Sequence, residues 1–260
     1  LTIAMATNGT LVDAQIARKI ADAGFRRVSI SIDGADAATH DAFRNQVGAF
    51  DAALAGAKHL QDVDIPVQFN ATVTTHNVDQ LDSLYRFVID KGAVALHLFL
   101  LVPVGCGVEI AETQQISSER YEQVLQWVCD RQLENEIELR VTCGPHYYRV
   151  AAQRGIPAQR GRGCLCGISV VFVSHRGEVF PCGYFPLDCG NVRTTPLDEI
   201  WRTNEHFSSL RDYDLLEGQC GRCGWKKTCG GCRARAYAAT GNYLSEEPFC
   251  VLTDNKGNAK

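Results

Sequence analysis

No apolar run in the 260 residues is long enough to cross a membrane, and no basic-then-apolar leader precedes Leu1. The expectation is a protein that neither spans a bilayer nor is exported, with the cytoplasm as its compartment. A basic excess is also lacking. Twenty-six Lys and Arg against 30 Asp and Glu leave a net charge of −4, whereas general nucleic-acid binding needs a positive surplus. Without a secretory signal, the twelve cysteines are expected to serve metals or catalysis rather than disulfides. An initiator Met is missing as well: Leu1 stands inside an apolar stretch, and the expectation is that an N-terminal part of the protein precedes it. What is present is ordinary for a globular chain, with 45% hydrophobic and 22% charged residues. The length suffices for one large domain and a small one.

Nine of the twelve cysteines fall between residues 164 and 250, and four of them form the run Cys220-Gly-Arg-Cys223-Gly-Trp-Lys-Lys-Thr-Cys229-Gly-Gly-Cys232. A disulfide inside either C-x2-C pair would close a small strained ring. Thiolates this dense are normally held by a soft metal centre. Zinc ribbons usually part their two pairs by about 12–20 residues, and the gap of five here is short, although a compact zinc turn remains open. Cys164, Cys166 and Cys182 upstream and Cys250 downstream bring the placed thiols to eight, enough for two cubane clusters of four ligands each.

Ahead of the cysteines the pattern alternates. Strands are expected at 1–6, 27–32, 66–73, 94–101 and 137–142. Helices are expected from Asp13 to Gly24, at 37–43 and 50–61, from Asn77 as N-cap to Gly92, and at 118–134. Four repeats of strand and helix imply a parallel sheet of βαβ units, an α/β fold. Polar residues gather at the carboxyl ends of three successive strands: Thr7 and Asn8; Ser29, Ser31 and Asp33; Asn70, Thr72 and Thr74. Ligands bind at such ends in parallel α/β proteins.

Asp and Glu are wholly absent from residues 139–177, which hold six arginines together with His146 and His175. Guanidinium forks suit carboxylates and phosphates, while Gly155-Ile-Pro157 and Gly161-Arg-Gly163 equally suit a solvated connector. Tyr147 and Tyr148 suit either a flat ligand or a core edge. A β-hairpin is expected next, with strands at 168–173 and 178–180, the turn at Gly177, and thiols at its open ends. Then come a helix at 196–211, the cysteine run, a helix at 233–239 and a polar tail from Thr253.

Cys166-x10-Gly177-x4-Cys182, followed by the four-cysteine run and a lone Cys250, resembles the SPASM domain that ends many radical SAM enzymes. One spacing departs from the usual pattern, with two residues rather than three before the fourth cysteine of the run. Thr7-Asn-Gly9 and Ser29-Ile-Ser-Ile-Asp-Gly34 resemble middle strands of the radical SAM partial barrel. Gly144-Pro-His-Tyr-Tyr-Arg149, Phe172-Val-Ser-His-Arg-Gly-Glu-Val179, Pro181-Cys-Gly-Tyr184, Cys229-Gly-Gly-Cys-Arg-Ala-Arg-Ala-Tyr-Ala238 and Glu246-Glu-Pro-Phe-Cys250 resemble the tetrapyrrole branch. That branch covers haem b synthesis from iron-coproporphyrin, didecarboxysirohaem deacetylation and haem d1 synthesis. The C-x3-C-x2-C triplet and the Gly-Gly-Glu motif of radical SAM enzymes are absent from these residues.

The resemblance implies the C-terminal part of a radical SAM partial (β/α)6 barrel over 1–143, an Arg-rich connector over 144–163, a SPASM domain over 164–252 and a tail over 253–260. It implies one or two auxiliary [4Fe-4S] clusters, plus S-adenosyl-L-methionine with a further [4Fe-4S] cluster in the full-length protein. The fragment without the triplet is expected to be inactive. The outer auxiliary cluster would take Cys220, Cys223, Cys229 and Cys250. The inner one would take Cys164 and/or Cys166 with Cys182 and Cys232. Ser31, Arg44, Asn70 and Thr72 are the implied S-adenosyl-L-methionine contacts, and His146, Tyr147, Arg149 and Arg162 the implied substrate contacts. The implied reaction is oxidative decarboxylation of the propionates of iron-coproporphyrin III, begun by a 5′-deoxyadenosyl radical, with ferredoxin or flavodoxin as electron partner. Other tetrapyrrole side-chain removals, a peptide or protein maturase, and a non-catalytic iron–sulfur or zinc protein are the alternatives.

Overall fold

The computed structural model of the chain describes residues 1–156 and 161–253. Arg160 and the tail beyond Thr253 lie outside the described residues. The chain divides into two compact units, Leu1–Leu100 with Asp130–Thr142, and Leu101–Cys129 with the chain from Cys143 onward.

The first unit is built on five parallel strands: β1 (Met5–Thr7), β2 (Val28–Ser31), β3 (Val67–Val73), β4 (Ala95–Leu100) and β5 (Glu138–Thr142). They are hydrogen-bonded in sequence order. Helices α1 (Ala14–Asp22), α2 (Ala37–Arg44), α3 (Ala49–Gln61) and α4 (Leu81–Asp90) lie between them. Asp13 caps α1 by accepting from the Ile16 amide, and Asp36 caps α2 from the Thr39 amide. Alternation along each strand sorts the faces. Val28, Ile30, Val67, Phe69, Leu96 and Leu98 are buried, and the same core takes Ala17 and Ile20 from α1, Ala53, Ala57 and Leu60 from α3, and Leu84 and Val88 from α4. Each large side chain so buried is worth about 1.5–3 kcal/mol. Gly56 lets α3 lie against the loop after β1, because a Cβ there would stand 2.2 Å from the Gly9 carbonyl oxygen. On the other face the register aligns Ser31 with Asn70, Asn70 with His97, and His97 with Arg140.

Two expectations change here. The first strand starts at Met5 rather than Leu1, because its partner β2 begins at Val28, which is in register with Met5. Asn77 does not cap α4; its side chain turns back to the strand ends, as described below.

The second unit holds α5 (Gly107–Gln114), α7 (Tyr147–Gln153), the hairpin β6 (Phe172–Val173) and β7 (Val179–Phe180), α8 (Leu197–Thr203), α9 (Glu205–Arg211), α10 (Gly218–Arg222) and α11 (Arg233–Thr240). Helix α6 (Ser118–Glu134) runs between the units in sequence. The hairpin strands are shorter than expected, since the amides of Ile168, Ser169 and Val170 all turn onto the Leu165 carbonyl. The helix expected at 196–211 is two, divided at Asn204 (φ −69°, ψ 130°). Helix α7 lies in the stretch expected as connector, and α5 in a stretch for which no helix was expected. Each spans about two turns, too little for a periodic pattern to register. One apolar cluster joins Val102, Phe185, Leu210 and Ala234 to Cys166 and Cys232. A second joins Val179, Ile200, Phe207 and Cys189.

Candidate metal centres and strand-end rim

In the first unit the ends of β2 and β3 are stitched together by one buried carboxylate and one buried amide. Asp33 is fully buried; its Oδ1 accepts from the Thr72 amide at 2.8 Å, and its Oδ2 from Arg44 Nε at 2.7 Å and Nη2 at 2.5 Å. Its own amide donates to His40 Nδ1 at 3.0 Å. Burial lowers the His40 pKa against the pull of Asp33, so the ring is neutral and its Nδ1 stays an acceptor. Asn77 Nδ2 donates to the carbonyls of Asp33 and Thr72, each at 2.8 Å, and its Oδ1 accepts from the Thr74 amide. This lattice holds the backbone that carries Ser31, Asn70 and Thr72. Asn70 Oδ1 accepts from Gln68 Nε2 at 2.6 Å. Arg44 is held to Asp33 through Nε and Nη2, and its side chain is 33% exposed.

In the second unit the thiols fall into two groups. Cys220, Cys223, Cys229 and Cys250 line one cavity, together with His146 and Arg149. Amides point at these sulfurs: Trp225 N–H at Cys223 Sγ (3.4 Å), Gly231 N–H at Cys229 Sγ (3.5 Å) and Glu247 N–H at Cys220 Sγ (3.4 Å). Arg233 Nη2 adds a donor to Cys220 Sγ at 3.6 Å. Burial pushes the thiols of Cys250 and Cys229 up, which suits ligands that ionise on binding a metal. Gly163 crosses directly over the run, since its Cβ would lie 1.8 Å from the Cys229 carbonyl oxygen, and the Cys164 amide donates to that oxygen.

Cys164 thereby enters the other group. The free thiol of Cys166 hydrogen-bonds to that of Cys164, which pulls Cys164 down to about 6, and it lies within hydrogen-bonding reach of Cys182 as well. Cys232 bonds to Cys143, a residue outside every sequence motif. Cys143 holds a left-handed backbone (φ 58°), and its carbonyl accepts from Arg235 Nη2 at 2.9 Å and Tyr121 Oη at 3.1 Å. Five thiols therefore gather where the sequence offers four. Cys189 stands with Val179, Ile200 and Phe207 instead, and burial raises its pKa to about 11.

Beneath both groups lies an ion pair without solvent. Arg235 and Glu247 are 1% and 0% exposed and 3.1 Å apart. Arg235 also donates to the Leu101 carbonyl at 3.2 Å, and Glu247 Oε2 accepts the Cys232 amide at 2.7 Å. Burial opposes the charge on Glu247, but Arg235 beside it keeps the carboxyl below its usual range. The pair thus fixes the backbone of Cys143 and of Cys232 at once.

The comparisons agree with this geometry. The Radical SAM superfamily matches residues 1–88, and the SPASM iron-sulfur cluster-binding domain matches residues 164–233. An AdoMet-dependent heme synthase of Methanosarcina barkeri is 45% identical, over 98% of this chain and 76% of that protein. The chain belongs to the radical SAM family, in its SPASM-bearing tetrapyrrole branch. A pre-heme d1 synthase of Dinoroseobacter shibae is 31% identical, over 96% of this chain and 67% of its own. The solved structure of anSMEcpe with bound AdoMet shares the fold, with a TM-score of 0.70 at 20% identity over 96% of this chain and 71% of that one.

Membership of the radical SAM family implies [4Fe-4S] clusters and S-adenosyl-L-methionine, and the residues of the second unit fit the clusters. The donors are soft thiols, amide N–H groups face their sulfurs, and a buried histidine lines the outer cavity with neither ring nitrogen bonded. The arginine-rich stretch, by contrast, is not one open patch. Acids from outside it claim its members: Arg149 pairs with Glu122 (2.5 Å) at 3% side-chain exposure, and Arg140 pairs with Glu138 (2.7 Å). His146 and Tyr147 are buried too. Of the four substrate candidates only Arg162 is accessible; it stacks over Tyr213 at 5.1 Å and donates to the Tyr213 hydroxyl at 2.6 Å. Asp33 stands in the sequence as one polar residue of the strand-end rim and Asn77 as a helix cap, while Cys143, Arg235 and Glu247 carry no site reading there. The signal for the last two was the charge inside apolar stretches flanking cysteines.

Proposed function

We propose that this protein decarboxylates the propionate side chains of iron-coproporphyrin III oxidatively, leaving the vinyl groups of haem b. The observation that carries this reading is the gradation of identity: 45% to an AdoMet-dependent heme synthase against 31% to a pre-heme d1 synthase, with 96% or more of the chain aligned in both. When bound, the cofactors supply a radical that takes a hydrogen atom from the propionate β-carbon and a cluster that accepts the electron left when CO2 departs. The remaining work belongs to this chain's residues. Asp33 and Asn77 hold the strand ends on which Ser31, Asn70 and Thr72 would meet S-adenosyl-L-methionine. Cys220, Cys223, Cys229 and Cys250 would hold the outer auxiliary cluster, and four of Cys143, Cys164, Cys166, Cys182 and Cys232 the inner one. Arg162, braced by Tyr213, offers its remaining N–H groups to a carboxylate. A ferredoxin or flavodoxin would exchange the electrons.

Titration of the Soret band of iron-coproporphyrin III against anaerobically reconstituted protein tests the substrate. Binding is expected, weakened severalfold by Arg162→Ala and partly restored by Arg162→Lys, which returns the charge without the fork. Protein of full iron content that leaves the Soret band unchanged would reject the tetrapyrrole reading in favour of a peptide substrate.

A further inference from the structure

His146 is 1% exposed and neither Nδ1 nor Nε2 has a hydrogen-bond partner. Buried polar groups are nearly always paired, and two orphaned atoms on one ring call for a partner at that place. The ring stands at the N-cap position of α7, packed edge-on to Tyr121 with centroids 5.0 Å apart at 84°. It lines the cavity ringed by Cys220, Cys223, Cys229 and Cys250. Burial drops its pKa to about 4 against the pull of Glu247, with Arg235 and Arg149 lowering it further and Glu122 raising it. In either protonation state the imidazole has an N–H to give. Arg149, three residues on and facing the same cavity, is anchored to Glu122 and Gln153 through its Nη atoms, while its buried Nε–H is likewise unpaired. Two donors, one of them cationic, thus face a cavity ringed by four thiols.

We infer that His146 and Arg149 are a donor pair for the outer auxiliary cluster, His146 giving an N–H to a cluster or thiolate sulfur and Arg149 a buried positive charge. Hydrogen bonds to sulfur and nearby positive charge favour the reduced cluster and raise its potential. The consequence under the proposed reaction is an outer cluster set to receive the electron that each decarboxylation leaves behind. The donor role rests on cluster binding; only that consequence rests on the tetrapyrrole reading.

The test needs no substrate, so its failure is separable from failure of that reading. In reconstituted full-chain protein, the outer cluster is titrated redox-potentiometrically by EPR in wild type, His146→Leu, His146→Gln and Arg149→Gln. His146→Leu is expected to keep its iron and shift the one-electron reduction equilibrium about tenfold toward oxidised, about 59 mV. His146→Gln, which retains an N–H, recovers most of that shift, and Arg149→Gln loses at least as much as His146→Leu. Wild-type protein labelled with 15N-histidine should also show a weak hyperfine coupling to the reduced cluster. This readout stands even if the leucine variant fails to fold. An unchanged potential with full iron overturns the proposal, as does the absence of any 15N coupling. A strong coupling with loss of the cluster in both His146 variants overturns it too, since His146 would then be a ligand.

Discussion

Asp33 accepts three side-chain and backbone bonds without solvent, and His40 beside it must stay neutral to accept the Asp33 amide. This arrangement sets a pH dependence. The folded His40 pKa lies below its ordinary 6.5, so the unfolded chain binds the extra proton first as the solution is acidified. Stability is therefore fully present above about 6.5 and is lost as pH falls below that value towards the folded pKa. Asp33 and Asp41 favour the proton and Arg44 opposes it, but burial outweighs them. Thermal melts from pH 7.5 to 5 should show Tm falling, and His40→Asn, an acceptor that does not titrate, should flatten that fall while lowering Tm at neutral pH. An equally steep fall in the variant would put the titrating group elsewhere. The Arg235–Glu247 pair is the other residue-scale test. Glu247→Gln leaves a buried guanidinium without its counter-charge and should cost about 3–5 kcal/mol in denaturant unfolding. Glu247→Gln with Arg235→Met should cost less than the sum of the two single changes, because the pair fails as a unit.

At the scale of elements, the sequence is most legible where periods are long. The five strands, the helices at α1, α3, α4 and α6, and the parallel order follow from alternation of β-branched and apolar stretches, and no end moves by more than four residues. Short elements were hidden for physical reasons. Helix α7 buries Tyr147, Val150 and Ala151 at helical spacing, with Arg149 buried on Glu122 beside them, but seven residues are too few for that period to stand out in the sequence. Asn77 reads as a helix cap in any single sequence, and only the folded strands reveal that its amide is needed by Asp33 and Thr72. Asn204 was missed in the opposite sense. Its Oδ1 caps α9 by accepting the His206 amide at 2.9 Å, while its Nδ2 donates to the Cys189 carbonyl at 3.1 Å. Asn204→Ala should therefore destabilise by about 1–2 kcal/mol, a lost cap plus a lost carbonyl partner. Asn204→Asp, which keeps the cap and loses the donor, should fall between. Chemical denaturation of the three proteins decides it, and a neutral Ala variant would show the helix break to be held by packing alone.

For the whole molecule, what could be read was which thiols are numerous and closely spaced; what could not be read was which of them meet. Spacing along the chain marks a metal-binding loop because nearby residues must fold near one another. Cys143 lies 21 residues before Cys164 and in no motif, and it reaches Cys232 only because Arg235 and Tyr121 grip its carbonyl in a left-handed turn. Such backbone strain persists where the surroundings impose it. Cys189 is the converse, a cysteine inside the dense region that the fold spends as an apolar core residue. These placements make the iron count diagnostic. Two cubanes predict about eight irons per reconstituted chain. Cys223→Ser should remove about four by emptying the outer set, and Cys182→Ser or Cys232→Ser about four by emptying the inner one. Cys189→Ser should remove none. The inner set has five thiols for four positions, so one member of Cys143, Cys164 and Cys166 should be replaceable by Ser without loss of iron, and the other two should not. Iron assays paired with EPR of each single variant would settle the set. Retention of full iron in both the Cys182 and Cys232 variants would mean that the inner thiols hold no cluster and that only the four around the outer cavity do.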